Sequence, residues 1–366
     1  MSVKEKKAVW ISFLDFNTLL KNKTQSEFKN NISSAFKKVS NLGLNTVIVQ
    51  VRPYADSLYP SKYFPWSHTI TGTEGKNPGF DPLAIMVSEA RNQGLKIEAW
   101  INPYRIRSKG SISELSSDNQ AKAWAGTSSV KEYGGGIYYN PASAEARQLI
   151  IDGVREIVSN YDIDAIHFDD YFYPTTNADF DSNEYQSYVN DGGKLSLGDW
   201  RRENVNTLVR DVYSNIKAIK QNVQFGISPQ SSIDRNYNNM YVDAKKWLGN
   251  NGYVDYIMPQ IYHGFDNSAI PFKQATQNWN NIIKADVDLQ IGLSPYKIGV
   301  EDTYAGGGKY EWIEGQKMLC RMVETARVQS HYNGFAMFRY DSIINPSASV
   351  KSQVANELDA LSEVLG

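Results

Sequence analysis

Residues 166 to 174 read IHFDDYFYP, which places an imidazole and two adjacent carboxylates among aromatic rings at the end of a short apolar run. Carboxyl groups of this kind move protons or stabilise positive charge, and two of them suffice to cleave a glycosidic bond. One protonates the leaving oxygen while the other attacks the anomeric carbon, activates water or steadies the charge. Other chemistries lack their parts. The histidines are His68, His167, His263 and His331, and no two stand at metal-ligand spacing. The triple glycines at 134–136 and 306–308 do not match a phosphate loop, because Lys309 is followed by Tyr310 rather than Ser or Thr. Neither a cofactor nor a metal is expected.

Short runs rich in Val, Ile and aromatic residues recur along the chain, starting at Ala8, Thr46, Lys96, Ala165, Gln224, Tyr256, Leu289 and Gly334. Helical spacing fills the intervals. Thr24-x-x-Glu27 opens a helix as a capping box, with Phe28, Ile32, Phe36 and Val39 on one stripe, and Gly43 ends it. Asp81 and Pro82 open the next, which stops at Gly94. Others are expected near 143–160, 200–220, 271–284, 311–330 and 349–364, with a weaker one near 240–249. Eight strand–helix units in alternation predict a single α/β domain over 8–366, a (β/α)8 TIM barrel, with residues 1–7 as an N-terminal extension. An open doubly wound sheet is the alternative, but its glycine-rich first turn is replaced by LDFNTLLKNK. Helix-to-strand connections are terse, whereas 54–80, 104–142 and 172–199 are long loops at the C-terminal face of the strands, where barrel enzymes place their sites.

Alternation along each strand selects the candidates. His167 and Asp169 share a face, with Asp169 at the rim and Asp170 pointing into the loop or between strand and helix. Glu98, Trp100 and Asn102 share another; Gln50 and Arg52 come from the second strand, Ser228 and Gln230 from the fifth, Gln260 and Tyr262 from the sixth. Asp169 is the expected nucleophile, base or charge stabiliser, held by His167. Asp170, Glu98 or a loop carboxylate such as Asp266 is the expected acid. Each also has a plain structural reading. An aspartate at a strand end can cap a helix, as Asp15 can, Glu98 can pair with Arg52, and Trp100 can simply pack. Convergence on one rim favours a site.

Composition sets the remaining bounds. The 366 residues are 41% hydrophobic and 21% charged, with a formal net charge of −2 that gives no electrostatic reason to expect nucleic acid. The content of 23 Tyr, 14 Phe and 8 Trp is high, and aromatic faces stack on sugar rings. Cys320 is the single cysteine, so no disulfide can form within one chain. No apolar stretch reads as a membrane span or a signal peptide. Oligomeric state is not legible.

The blocks NTVIVQVRPYADSLYPSKYFPWS, EAWINPYR, DAIHFDDYFYP, VDYIMPQIY and GLSPYKIG, in that order, resemble glycosyl-hydrolase-like family 10, the YngK-like proteins, from about Ala8 to about Asp341. The resemblance implies a TIM barrel and glycoside hydrolase activity on a bacterial polysaccharide, with peptidoglycan glycan of the cell wall as the expected substrate. It also implies a place at the cell envelope or outside the cell, the alternative being the cytoplasm. Matching positions are Gln50, Arg52, Trp100, Asn102, Tyr104, Arg105, His167, Asp169, Asp170, Gln260, Tyr262, Tyr296 and Lys297. The family pattern carries histidine where this chain has Glu98. A carbohydrate-binding barrel without catalysis is the rival expectation.

Overall fold

The computed structural model describes residues 5–365. Eight parallel strands close into a barrel: β1 (Lys6–Ile11), β2 (Thr46–Arg52), β3 (Lys96–Ile101), β4 (Ala165–Phe168), β5 (Gln224–Ile227), β6 (Tyr256–Ile257), β7 (Asp288–Leu293) and β8 (Tyr332–Met337). Each is followed by a helix of the outer ring: α1 (Gln25–Asn41), α2 (Pro82–Asn92), α3 (Ala144–Asn160), α4 (Leu197–Ile219), α5 (Ala244–Gly249), α6 (Phe272–Ile282), α7 (Met318–Arg327) and α8 (Lys351–Leu365). The barrel is thus the expected α/β TIM fold. β1 begins at Lys6, two residues before the expected edge of the domain, and Lys6 pairs with Gly334 of β8. Residues 1–4 of the expected extension lie outside the described residues. No described helix is long and apolar enough to cross a membrane.

Local chemistry explains the boundaries. Thr24 and Glu27 form the reciprocal capping box, Thr24 N–H donating to Glu27 at 2.8 Å, and Asp81 caps α2 with Pro82 in the first turn. The stretch expected as one helix over 311–330 is two, Glu311–Glu314 and α7, broken at Gly315 and at Lys317, which adopts a left-handed φ of 55°. The 104–142 loop contains a small antiparallel sheet of Arg105–Arg107, Gly136–Tyr139 and Val130–Tyr133. A short helix, Phe13–Leu19, follows β1 directly.

Outward-facing residues such as Val9, Val47, Ile97, Ile166 and Phe225 bury against the helices. The inward face is different. Ala8, Trp10, Ile48, Trp100, Ala165, Tyr256, Met258 and Ala336 fill the barrel as a separate apolar cluster. The Tyr256 ring crosses the interior because β5 offers Gly226 beside it. A β-carbon at 226 would come within 2.0 Å of that ring. Three of the inward polar groups form a connected set. Lys6 Nζ meets Glu98 Oε1 at 2.5 Å and lies 3.8 Å from the Tyr256 ring centre, and the Tyr256 hydroxyl donates to Glu98 Oε2 at 2.7 Å.

Glu98 is therefore not a catalytic acid. It sits two residues below Trp100 on β3, is 1% exposed, and neutralises Lys6 near the N-terminal end of the barrel. It does not pair with Arg52 either. Glu98→Ala is expected to lower stability by roughly 3–5 kcal/mol, because it strands a buried ammonium and the Tyr256 hydroxyl. The double variant Lys6→Met/Glu98→Leu should recover most of that loss in denaturant unfolding. Unchanged stability of Glu98→Ala would show that the pair holds nothing.

Candidate active site

The C-terminal mouth of the barrel holds a cavity of about 260 Å³ lined from several strand ends. Asp169, Asp170 and Tyr171 enter from the end of β4, and Trp100 and Arg105 from β3 and its loop. Gln50, Ser228, Gln260 and Tyr262 come from the second, fifth and sixth strand ends. Trp10, Phe13, Leu14 and Phe338 close the far side. The sequence pattern thus brings Asp169, Asp170, Trp100, Arg105, Gln50, Gln260 and Tyr262 into one cleft.

β4 stops at Phe168, so strict alternation ends before the two acids and both reach the cavity. The expectation that Asp170 points away is overturned. The Asp169 carboxylate is 2% exposed. It accepts the Trp100 indole N–H at 3.0 Å on Oδ2 and the Tyr171 backbone N–H at 3.2 Å on Oδ1. Burial, joined by the neighbouring charge of Asp170, pushes its pKa up to about 7, against the pull of Arg105 and the Trp100 bond. Asp170 accepts one glutamine amide on each oxygen, Gln260 at 3.0 Å and Gln230 at 3.2 Å. Burial raises its pKa, and these two donors oppose the rise. Gln230 and Gln260 are themselves aligned by a parallel bridge between the fifth and sixth strand ends.

His167 does not hold Asp169. The Trp10 indole, which can only donate, gives its N–H to His167 Nε2 at 3.2 Å. The ring proton is thereby assigned to Nδ1, which donates to the Tyr256 hydroxyl at 2.8 Å and through it connects to Glu98. Burial and the charge of Lys6 drive the His167 pKa well below its ordinary value, so it is a neutral strut under Trp10 and Ser228, not a base. Its influence on Asp169 runs through packing, its ring meeting Trp100 edge-on with centroids 6.5 Å apart.

Several expected sugar contacts lie elsewhere. β2 bulges at Val51, so that Gln50 pairs with Trp100 but Arg52 pairs with Ile101. The shift turns Arg52 to the outer face, where its guanidinium lies 4.2 Å from the Phe64 ring centre and against α3 at Gly153. Tyr104 is buried, its ring 6.2 Å from that of Phe172. Asn102 is a positioning group whose Oδ1 accepts the Arg105 backbone N–H at 3.1 Å. Asp15 caps the short helix with Ser12 and pairs with Arg339. Lys297 is occupied by Asp302 at 2.6 Å. Tyr296 does not line the cavity but stands edge-on behind Tyr262, centroids 5.9 Å apart. Asp266 is exposed on the loop after β6, outside the cleft.

Trp10, Phe13, Leu14, Tyr171 and Phe338 were not among the candidates. Trp10 shares the inward parity of Ala8, and Phe338 follows Ala336 by two, so alternation carried a signal for both. For Tyr171, in a loop, it carried none. Tyr171 and Tyr54 flank Arg105, whose guanidinium lies 4.4 and 5.0 Å from their ring centres.

The Asp169 proton has a measurable consequence. An ordinary aspartate releases it near pH 3.8, whereas the folded protein keeps it to about 7, so folding stability falls as pH rises through that window. Asp169→Asn removes the titration. In melts at stepped pH, its stability relative to the parent should grow between about pH 4 and pH 7 and then level off, reaching roughly 2–4 kcal/mol. A difference independent of pH would overturn the assignment.

Comparison with known proteins agrees with this architecture. The model of the family described as Glycosyl hydrolase-like 10 matches residues 5–305. The chain is 38% identical over 357 residues to "Glycosyl hydrolase YngK" of Bacillus subtilis (strain 168), covering 91% of this chain and 68% of that protein. It is 37% identical over 336 residues to "Glycosyl hydrolase DigH" of Escherichia coli (strain K12), covering 83% of this chain and 74% of the relative. Among solved structures, the PgaB (BpsB) glycoside hydrolase domain from Bordetella bronchiseptica superposes with a TM-score of 0.61 at 11% identity, covering 99% of each chain, a likeness of fold. With its closed barrel, its paired strand-end aspartates and relatives named as glycosyl hydrolases, this chain belongs to the Glycosyl hydrolase-like 10 family.

Proposed function

We propose that the protein hydrolyses glycosidic bonds of a bacterial polysaccharide, with the glycan strands of peptidoglycan as substrate, at the cell envelope or outside the cell. The observation that carries the reading is the Asp169 carboxyl group. It is buried, anchored by Trp100, opens onto the cleft beside Asp170, and holds its proton to about pH 7. A group in that state at neutral pH can protonate a departing glycosidic oxygen, so Asp169 is read as the acid, in place of the nucleophile, base or charge stabiliser expected from its strand position. Asp170 supplies negative charge near the anomeric carbon. Arg105, Gln50 and Gln260 offer polar contacts to hydroxyls, and Tyr262, stacked on Phe338 with centroids 5.8 Å apart, offers an aromatic face to a sugar ring.

The test is a screen of purified glycans, peptide-free peptidoglycan strands included, with products identified by mass. Asp169→Asn should lower kcat by at least about 100-fold while glycan binding and the fold persist. The rate of the parent enzyme should fall as pH rises above about 7, where Asp169 loses its proton. Wild-type turnover in Asp169→Asn would refute the assignment. Binding of glycans without release of any product would establish the non-catalytic barrel instead.

A further inference from the structure

The two carboxylates of the cleft are consecutive residues on one strand end. In the common two-carboxylate mechanisms the pair flanks the scissile bond, so that one group meets the leaving oxygen and the other reaches the anomeric carbon or its attacking water from the opposite face of the ring. Here the opposite rim, contributed by β1 and β8 across the barrel from β4, presents Trp10, Phe13, Leu14 and Phe338. Among the described residues lining the cleft, Asp169 and Asp170 are the only acids. The acid nearest the far rim in sequence, Asp15, is 4% exposed and engaged by Ser12, Arg339 and the Asp341 backbone N–H. An internal nucleophile facing Asp169 is therefore missing from the cleft wall.

Resting on the hydrolase reading above, we infer that the nucleophile belongs to the substrate: the cleaved sugar carries a 2-acetamido group trans to the leaving oxygen, and its carbonyl oxygen attacks the anomeric carbon. Asp170 fits the required helper. Its two oxygens are fixed by Gln230 and Gln260, which orients a carboxylate acceptor for the acetamide N–H. The indoles of Trp10 and Trp100 and the Leu14 side chain provide apolar surface for the acetamide methyl.

The balance closes without any co-reactant. In the first step the bond between the anomeric carbon and the leaving oxygen breaks, and that oxygen takes the Asp169 proton. The acetamide oxygen bonds to the anomeric carbon, giving a bicyclic oxazolinium ion whose N–H faces Asp170. In the second step Asp169, now a carboxylate, takes a proton from water. The hydroxide oxygen bonds to the anomeric carbon, the acetamide oxygen leaves, and the configuration is retained.

The test uses one polymer in several forms: peptide-free peptidoglycan glycan strands, de-N-acetylated and re-acylated with acetyl, fluoroacetyl, difluoroacetyl or trifluoroacetyl groups. Single-turnover rates should fall stepwise with each fluorine as the acyl oxygen loses nucleophilicity, and the free-amine polymer should not be cut. Magnetic resonance of the first-formed product should show retained configuration. Asp170→Asn should slow the acetyl polymer while Asp169→Asn restored with a good leaving group, such as a fluoride donor, regains turnover. Equal rates across the acyl series, cutting of the free amine, or inversion would each overturn substrate participation while leaving the hydrolase intact. Failure to cut any form would overturn peptidoglycan strands as the substrate of the proposed hydrolase, and this inference with them.

Discussion

A carboxyl group at the mouth of a closed barrel receives only the solvation that neighbouring strand ends provide. For Asp169 that supply is one indole N–H and one backbone N–H, set against deep burial and a second carboxylate next along the chain. The deficit is what keeps a proton on it near neutrality. Trp100 is thus more than a wall of the cleft, since it sets the orientation of Asp169 as well as part of its hydrogen bonding. Asp170, with two amide donors, is the better solvated of the two, and this difference in environment is the basis of the distinct roles proposed for them.

The same barrel shows the opposite solution two layers down. Glu98 is as deeply buried as Asp169, yet it has Lys6 and the Tyr256 hydroxyl as dedicated partners. A carboxylate so compensated is a structural brace and has nothing to give to a substrate. Between the two lies His167, whose tautomer follows from Trp10 above and Tyr256 below, so that a continuous polar column runs from the barrel floor to the cleft wall.

Much of this was legible in the sequence for simple reasons. Period-two and period-3.6 patterns with capping residues located all eight strand–helix units, and alternation placed Trp100 and Gln50 correctly because their strands are still in register there, while Gln260, three residues beyond β6, is kept in line by isolated bridges to Gln230 and Gly292. Alternation failed where regularity ends. Arg52 lies one residue beyond a bulge, and Asp170 lies beyond the last paired residue of β4. Family-motif positions such as Tyr104 and Lys297 proved to be packing and loop-bracing residues, because a recurrent motif marks structural needs as readily as chemical ones. The role of Glu98 was hidden because its partner, Lys6, was assigned to the extension before the barrel.

The notch left by Gly226 reaches further than its own strand. With a hydrogen for a side chain it admits the phenol that links His167 to Glu98, and no other residue type leaves that room. Positions 226 and 256 are consequently coupled by steric fit. A descendant that acquires even a methyl at the first must surrender the ring at the second, and would have to invent a new way to tether the imidazole.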